Sequence, residues 1–499
     1  MTDDRGQDVW LGVDLGTQGV RAVAVTSEGR LLGTGSSPLT GDRRGERHEQ
    51  DPQQWWRAVC SAVGQVCAAG ADPRRVRAMA VDATSGTIAL TDRHGRCVTP
   101  GLMYDDGRAG VEAEQVNAVG ERQWAKAGYG RMQRSWGLPK LRRLLDRYPH
   151  AVADGWRLAH QSDVINRRLV GHDVPTDTSN ALKSGADAAT VTWPEQVLAE
   201  LGVPTTALPD LVLPGTVIGE VCADAAAECG LVPGIPVVAG MTDGCAAHLG
   251  SGATAVGSWN SVLGTTLVLK GVTEDLLHDP NGVVYSHRSP AGHWLPGGAS
   301  STGAGLVARE FPGADLDRLS EDAAPLLPTG LLRYPLVSPG ERFPFVAPDA
   351  VAFRSREPAG GAEDFAALMQ GVAYLERLCF ASVDLLGAPT DGAVVLTGGA
   401  TRNLVWNQLR ADVLGRPVSL PRHASPALGM AVLAASAFGG PGGLDRAAAS
   451  MVRPGRTLEP RASRRSAHDE GYGRLLDLLV ERGWLPGTVA AHARKGTAP

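Results

Sequence analysis

The sequence contains no C-x-x-C pair, no G-x-G-x-x-G loop and no Lys-bearing phosphate loop. Nor does any apolar run approach the roughly 20 residues that a bilayer span needs. The seven cysteines, Cys60, Cys67, Cys97, Cys222, Cys229, Cys245 and Cys379, are scattered. That spacing argues against a structural zinc site and reads as reduced thiols of a cytoplasmic protein. Lys+Arg 48 against Asp+Glu 53 gives a net charge of −5, so no basic excess invites nucleic acid or an anionic membrane. Met1 to Gln7 is polar and without an apolar core, so no signal peptide is expected. What is present is a chain of 499 residues with 43% hydrophobic and 20% charged content. Such a chain reads as globular and soluble, with two or three domains.

The stretch that organises the rest runs from Val9 to Thr26. Two short Val-rich runs, Val9 to Val13 and Val20 to Val25, suit buried strands better than helices. Between them lie Asp14, Gly16, Thr17, Gln18 and Gly19, with Arg21 just inside the second run. The glycines allow main-chain N–H groups to converge on an anion. A carboxylate at the end of the first strand would repel a phosphate unless a metal ion lay between them. Asp14 is therefore expected to hold Mg²⁺, directly or through water, with Thr17 and the turn amides near the phosphates. Taken alone, the stretch fits an ordinary Gly-rich hairpin equally well.

Asp51 and Pro52 mark a helix start, and Trp56, Val59, Val63 and Val66 give that helix one apolar face. Trp55 and Trp56 could stack on a sugar, although core packing suits at least one of them better. Arg77 to Val81 reads as a buried strand ending in Asp82-Ala83-Thr84-Ser85-Gly86-Thr87, and Ile88 to Thr91 as the next strand. Thr84, Ser85 and the acids Asp105 and Asp106 offer the short donors and acceptors that a polyol pocket needs. Ser135 to Leu141 starts a basic amphipathic helix, with a solvated face over an apolar underside. Pro236 to Gly240 is a further strand, followed by Asp243 at the head of a small-residue helix. The peptide dipoles favour a carboxylate there, so capping and a chemical role are both open to Asp243.

The opening pattern then recurs: strand, Gly264-Thr265-Thr266 turn, strand. Repetition in each half points to a duplicated architecture with a phosphate turn in each lobe. Glu341-Arg342 reads as an ion-pair-capable dipeptide in a loop, and Phe365 to Leu386 as the longest helix. Gly398-Gly399, with Asn403 one turn on, could let a base and ribose rest against the backbone. Three parts are expected: 1–249, carrying the sugar site and first phosphate turn; 250–440, binding nucleotide; and 441–499, a basic linker, a last helix and a disordered tail from Pro486.

Asp14-Leu15-Gly16-Thr17 resembles the first phosphate motif of the sugar kinase, heat-shock chaperone ATPase and actin superfamily. Together with Asp243, Gly264-Thr265-Thr266 and Gly398-Gly399 in that order, the chain resembles the FGGY-family carbohydrate kinases from about Val9 to Phe438. The resemblance implies an α/β fold of two actin-like (ribonuclease H-like) domains, with ATP and sugar in the cleft between them. It implies Asp243 as catalytic base and Asp14 as the acid serving metal, phosphate and sugar. Gly16, Thr17, Gln18, Gly264, Thr265, Thr266, Gly398, Gly399 and Asn403 are the implied ATP contacts, with Mg²⁺ as the metal. Within the family, Val81 to Thr87, Asn180 to Lys183, Tyr285 to Arg288 and Gly340 to Pro344 are most similar to the D-ribulose kinases of cyanobacteria and plants. Xylulokinases resemble one another in a Gln-Met-His segment where this chain has Thr84-Ser85-Gly86, and by the resemblance Ser85 joins Asp14 and Asp243 as a sugar contact. Departures are Gln18 in place of Ser, Ala400 in place of a third glycine, and Pro426.

The implied activity is phosphorylation of the terminal hydroxyl of a ketopentose, D-ribulose first, by a monomer or homodimer. Its rivals are a kinase for D-xylulose, another ketose or a polyol, a sugar-binding regulator with weak turnover, and a chaperone-type ATPase. Asp14, Thr17 and Asp243 are all present and no DNA-binding or peptide-binding extension is evident, which weighs against the last two.

Overall fold

The two Val-rich runs form β1 (Val9–Leu15) and β2 (Gly19–Thr26), antiparallel, with Val9 opposite Thr26 and Leu15 opposite Val20. They belong to a computed structural model that describes residues 8–495. It divides into two units. The first holds the chain up to Thr254, then His287–Leu295 and His423–Arg453. The second holds Ala255–Ser286, Pro296–Arg422 and the chain from Pro454 onward. No helix among the described residues is long and apolar enough to cross a membrane.

In the first unit β3 (Leu31–Pro38) extends the hairpin antiparallel beyond β2, and β4 (Val76–Ala83) pairs parallel with β1. β5 (Val217–Glu220) and β6 (Pro236–Val238) complete the sheet in the order β5-β6-β4-β1-β2-β3. In the second unit β7 (Trp259–Leu263) and β8 (Leu267–Gly271) form the matching hairpin. β9 (Trp294–Ala299) pairs antiparallel with β8, and β10 (Val394–Thr397) and β11 (Val418–Leu420) continue parallel from β7. β12 (Arg456–Leu458) closes the row antiparallel, and Tyr285–Arg288 lies outside β9. The sign sequence of pairings is the same in both units. The duplicated architecture read from the two Gly-Thr turns is therefore a duplicated sheet.

Helix α1 (Pro52–Ala68) starts at the Asp51 cap, whose side chain accepts from the Gln53 N–H, and buries both Trp55 and Trp56. Trp55 donates to Gln50 and Trp56 to Glu228. Both indoles are core residues, so neither is a sugar platform. α2 (Gly137–Arg147) also differs from expectation. Its Lys140 is fully buried rather than solvated, because backbone carbonyls surround its ammonium. α3 (Asp243–Leu249) follows β6, and α4 (Gly361–Leu385) and α5 (Leu404–Leu414) flank the second sheet. Arg410 of α5 forms a fully buried double contact with Glu376 of α4, at 2.7 and 2.8 Å, and reaches Ser261 Oγ of β7 at 2.9 Å.

The compact units do not follow sequence order. Helix α6 (Pro426–Ser436), placed by sequence order in the C-terminal part, belongs to the first unit. A Cβ on Gly12 would sit 1.8 Å from the Ala427 carbonyl oxygen, and one on Gly429 would sit 1.9 Å from that of Ala246. The helix thus lies backbone to backbone on β1 and α3, which only glycine permits. Beyond it, the expected basic linker is structured. Arg453 donates to the Glu28 carbonyl, Arg461 clamps Asp412, and α7 (Arg465–Glu481) and α8 (Gly487–Lys495) are helices. The expected disordered tail from Pro486 is helical through Lys495, and its last four residues lie outside the described ones.

Candidate active site

Three carboxyl groups meet in the first unit. Asp14 is the penultimate residue of β1, and its register partner in the parallel neighbour β4 is Asp82. Ala83 bridges to Thr242, and its N–H donates to the Met241 carbonyl, which brings the head of α3 against the end of β4. Strand ends of this kind are where open α/β sheets bind ligands. Asp14 is buried, and the exposed Arg21 guanidinium stands 3.8 Å from it. Burial, and then the Asp243 charge, push the Asp14 carboxyl up to about 6, with Arg21 partly offsetting them. Asp82 is fully buried and no donor reaches either of its oxygens. Burial, then Asp14 and Asp243, raise its carboxyl well above the usual range.

Asp243 is the first residue of α3 rather than its cap; Thr242 occupies that place. The Gly244 N–H donates to Asp243 Oδ1 at 2.8 Å, and the side chain is half-buried. The Thr242 N–H donates to Ser179 Oγ at 3.1 Å, and the His287 ring meets that hydroxyl at 3.1 Å. The start of α3 is thereby fixed. Asp82 was not among the residues singled out in the sequence, where it reads as one more strand-end acid.

The sugar loop sorts its own residues. Thr84 spends its hydroxyl internally, donating to Gln161 Oε1 at 2.7 Å and lying 2.5 Å from the Thr87 hydroxyl. Ser85 Oγ is buried with no hydrogen-bond partner. Asp106 is fully buried and committed to Arg108 and to the His48 N–H, so the structure gives its carboxylate a structural task. The Arg108 contacts hold it below the usual carboxylate range.

The first Gly-Thr turn is closed by the Gly16 N–H on the Gly19 carbonyl at 3.1 Å, and Gln50 donates to the Thr17 carbonyl at 2.8 Å. Gln18 is exposed. The second turn, in the other unit, is closed alike, by Gly264 N–H on the Thr266 carbonyl at 3.1 Å, and Thr265 is exposed. Gly398, at φ +92°, lies against the Leu263 backbone, where a Cβ would meet the carbonyl oxygen at 2.5 Å. The open Gly399 follows it, so the diglycine lies beside the second turn within that unit. Asn403 caps α5: its Oδ1 accepts from the Trp406 N–H and its Nδ2 donates to Ser320 Oγ. Glu341 makes no ion pair with Arg342; it is buried and accepts from Ser300, the Ser301 N–H and Tyr334.

Among the described residues no group of three or more His, Cys, Asp or Glu is arranged to hold a metal ion. The oxygen donors of Asp14 still fit a hard cation that keeps most of its water shell, which is the habit of Mg²⁺.

Residues 9–250 match the N-terminal domain of the FGGY family of carbohydrate kinases, and residues 259–438 match its C-terminal domain. The chain is 29% identical over 439 residues to a xylulose kinase of Streptomyces rubiginosus, covering 86% of this chain and 88% of that one. It is 28% identical over 487 residues to an autoinducer-2 kinase of Yersinia enterocolitica, covering 91% and 90%. Its fold matches the crystal structure of a xylulose kinase from Rhodospirillum rubrum with a TM-score of 0.83 at 26% identity, over 95% and 98% of the two chains.

Proposed function

Because the chain belongs to the FGGY family of carbohydrate kinases, we propose that it moves the γ-phosphoryl group of ATP to the terminal hydroxyl of a ketopentose. The observation that carries this is the meeting of Asp243 with Asp14 and Asp82 at the ends of β1 and β4. Phosphoryl transfer asks a protein mainly for positioning and charge neutralisation. Asp243 accepts a hydrogen bond from the sugar hydroxyl and takes its proton as the new O–P bond forms and the β–γ bridge bond breaks, releasing ADP. The Gly16-Thr17 amides serve the phosphates in the first unit. The Gly264-Thr265 turn and the Gly398-Gly399 backbone serve the nucleotide in the second. Asp14 would hold Mg²⁺ through water, and the ion would supply neutralisation of phosphate charge.

The sugar proposed is D-ribulose, on the strength of Thr84-Ser85-Gly86. A second reading, D-xylulose, is favoured by the xylulose kinases among the relatives. An autoinducer-2 kinase at similar identity shows that this degree of likeness does not fix the substrate. A coupled assay of ADP release with ATP and D-ribulose, D-xylulose or glycerol separates the readings. Turnover of a ketopentose is expected. Turnover of glycerol alone would refute the pentulose assignment.

A further inference from the structure

Lys140 is completely buried on α2 and takes no part in the chemistry described above. Its ammonium donates to three main-chain carbonyls: Gly86 at 2.6 Å, Met103 at 2.8 Å and Leu102 at 3.3 Å. Gly86 directly follows Ser85 in the sugar loop. Leu102 and Met103 leave the short strand Gly101–Leu102, in which Leu102 pairs with Ile88. One side chain therefore ties the loop to its neighbouring strand.

The count of donors matters. An ammonium has three N–H donors and no acceptor, so it satisfies three carbonyls at once. A neutral amine has two, and its lone pair would face the third carbonyl, leaving a buried acceptor unpaired. The charged and titratable groups facing Lys140 are Asp106, which favours the ammonium, Lys183 and Arg108, which oppose it, and His48. Burial outweighs them and brings Lys140 down to about 7. Gly86 itself is at φ +89°, a conformation glycine adopts freely, and the Lys140 tether acts there together with the Thr87 N–H bond to the Thr84 carbonyl at 3.2 Å and the Lys183 bond to the Ser85 carbonyl at 3.4 Å.

We propose that Lys140 is a positioning residue whose ammonium pins the Gly86 carbonyl to the Leu102–Met103 strand end and so orients Ser85 toward the sugar. This rests on the sugar site assigned in the preceding section. It also predicts that sugar affinity weakens as the ammonium loses its proton.

Lys140→Met keeps the stem and removes the donors. The KM for the ketopentose should rise about tenfold or more, while kcat and the KM for ATP stay within about threefold. In the parent, the sugar KM should rise between about pH 6 and about pH 9, across the range in which the ammonium is lost, and the variant should show no such rise. Hydrogen–deuterium exchange of the peptides covering residues 84–88 and 101–104, without sugar, should be faster in the variant, and faster in the parent at the high-pH end after correction for intrinsic rates. If the variant does not fold, the parent's pH profiles of KM and exchange decide. An unchanged sugar KM in a folded Lys140→Met, or flat parent profiles, would overturn the proposal. Failure of the kinase assignment looks different: the parent then phosphorylates no ketopentose at any pH, and the exchange data alone still test whether Lys140 holds the loop.

Discussion

Asp14, Asp82 and Asp243 repel one another in a dry site, and that repulsion has a sign in stability. The unfolded chain releases the Asp14 proton near pH 3.8, whereas the folded chain keeps it to about 6, and burial raises Asp82 well above its ordinary range as well. The folded state thus binds more protons in this range, so unfolding free energy falls as pH rises through it. Asp82→Asn removes one of the buried acids and offers Asp14 an amide donor. It should stabilise the first unit at pH 8, and by less at pH 5. Urea unfolding at the two pH values checks this, and an equal gain at both would contradict it. Asp14 and Asp243 were legible in the sequence because each follows a Val-rich run and opens a Gly-rich or small-residue segment. Asp82 was not, since its importance lies in the β1–β4 register that sets it beside Asp14. Thr84 and Asp106 read as pocket donor and acceptor for the converse reason. Their internal partners, Gln161, Arg108 and His48, cannot be inferred from local sequence.

The proposed function gives Ser85 the sugar choice at the same scale. D-Ribulose and D-xylulose differ only at C3, so one misdirected hydroxyl leaves a buried group unpaired at a cost of about 1–3 kcal/mol. That corresponds to about a tenfold to hundredfold preference in kcat/KM for D-ribulose, with Ser85→Ala lowering the ribulose value. A xylulose preference in the parent would move the assignment to the second sugar. An unchanged ribulose value in the variant would remove Ser85 from the site.

Among the elements, the β1–β2 hairpin, α1 and its Asp51–Pro52 start, and α4 could be read from periodicity and caps, because those signals are local. The packing of helix α6 on β1 and α3 could not be read from the sequence, since nothing local reveals that Gly429 meets Ala246 and Ala427 meets Gly12. This contact gives a sharp test. Gly12→Ala puts a methyl into the Ala427 carbonyl, so backbone must shift, and such overpacking costs about 1–3 kcal/mol or more. The first-unit transition in thermal or urea unfolding should move down accordingly. A transition unchanged from the parent would mean that α6 does not lie on β1. α2 teaches the same lesson through Lys140, whose charge suggested water and whose three carbonyl partners place it in the core.

At the scale of the whole molecule, one sheet plan is used twice, and the sequence showed it through two Gly-Thr turns about 250 residues apart. The path of the chain was less visible. It leaves the first unit after Thr254, returns to it for His287–Leu295 and again for His423–Arg453, and these returns carry no local sequence signal. Asp14, Asp82 and Asp243 all lie in the first unit, and the Gly264-Thr265 turn and the diglycine lie in the second. The central claim is that Asp243 is the base for phosphoryl transfer, and Asp243→Asn tests it most directly. The substitution is nearly isosteric and leaves the head of α3 able to form. Measured as ATP-dependent phosphorylation of the preferred ketopentose, kcat should fall by roughly 10²–10⁴-fold, with thermal unfolding and ATP affinity close to the parent's. A folded variant turning over at close to the parent's rate would contradict the account.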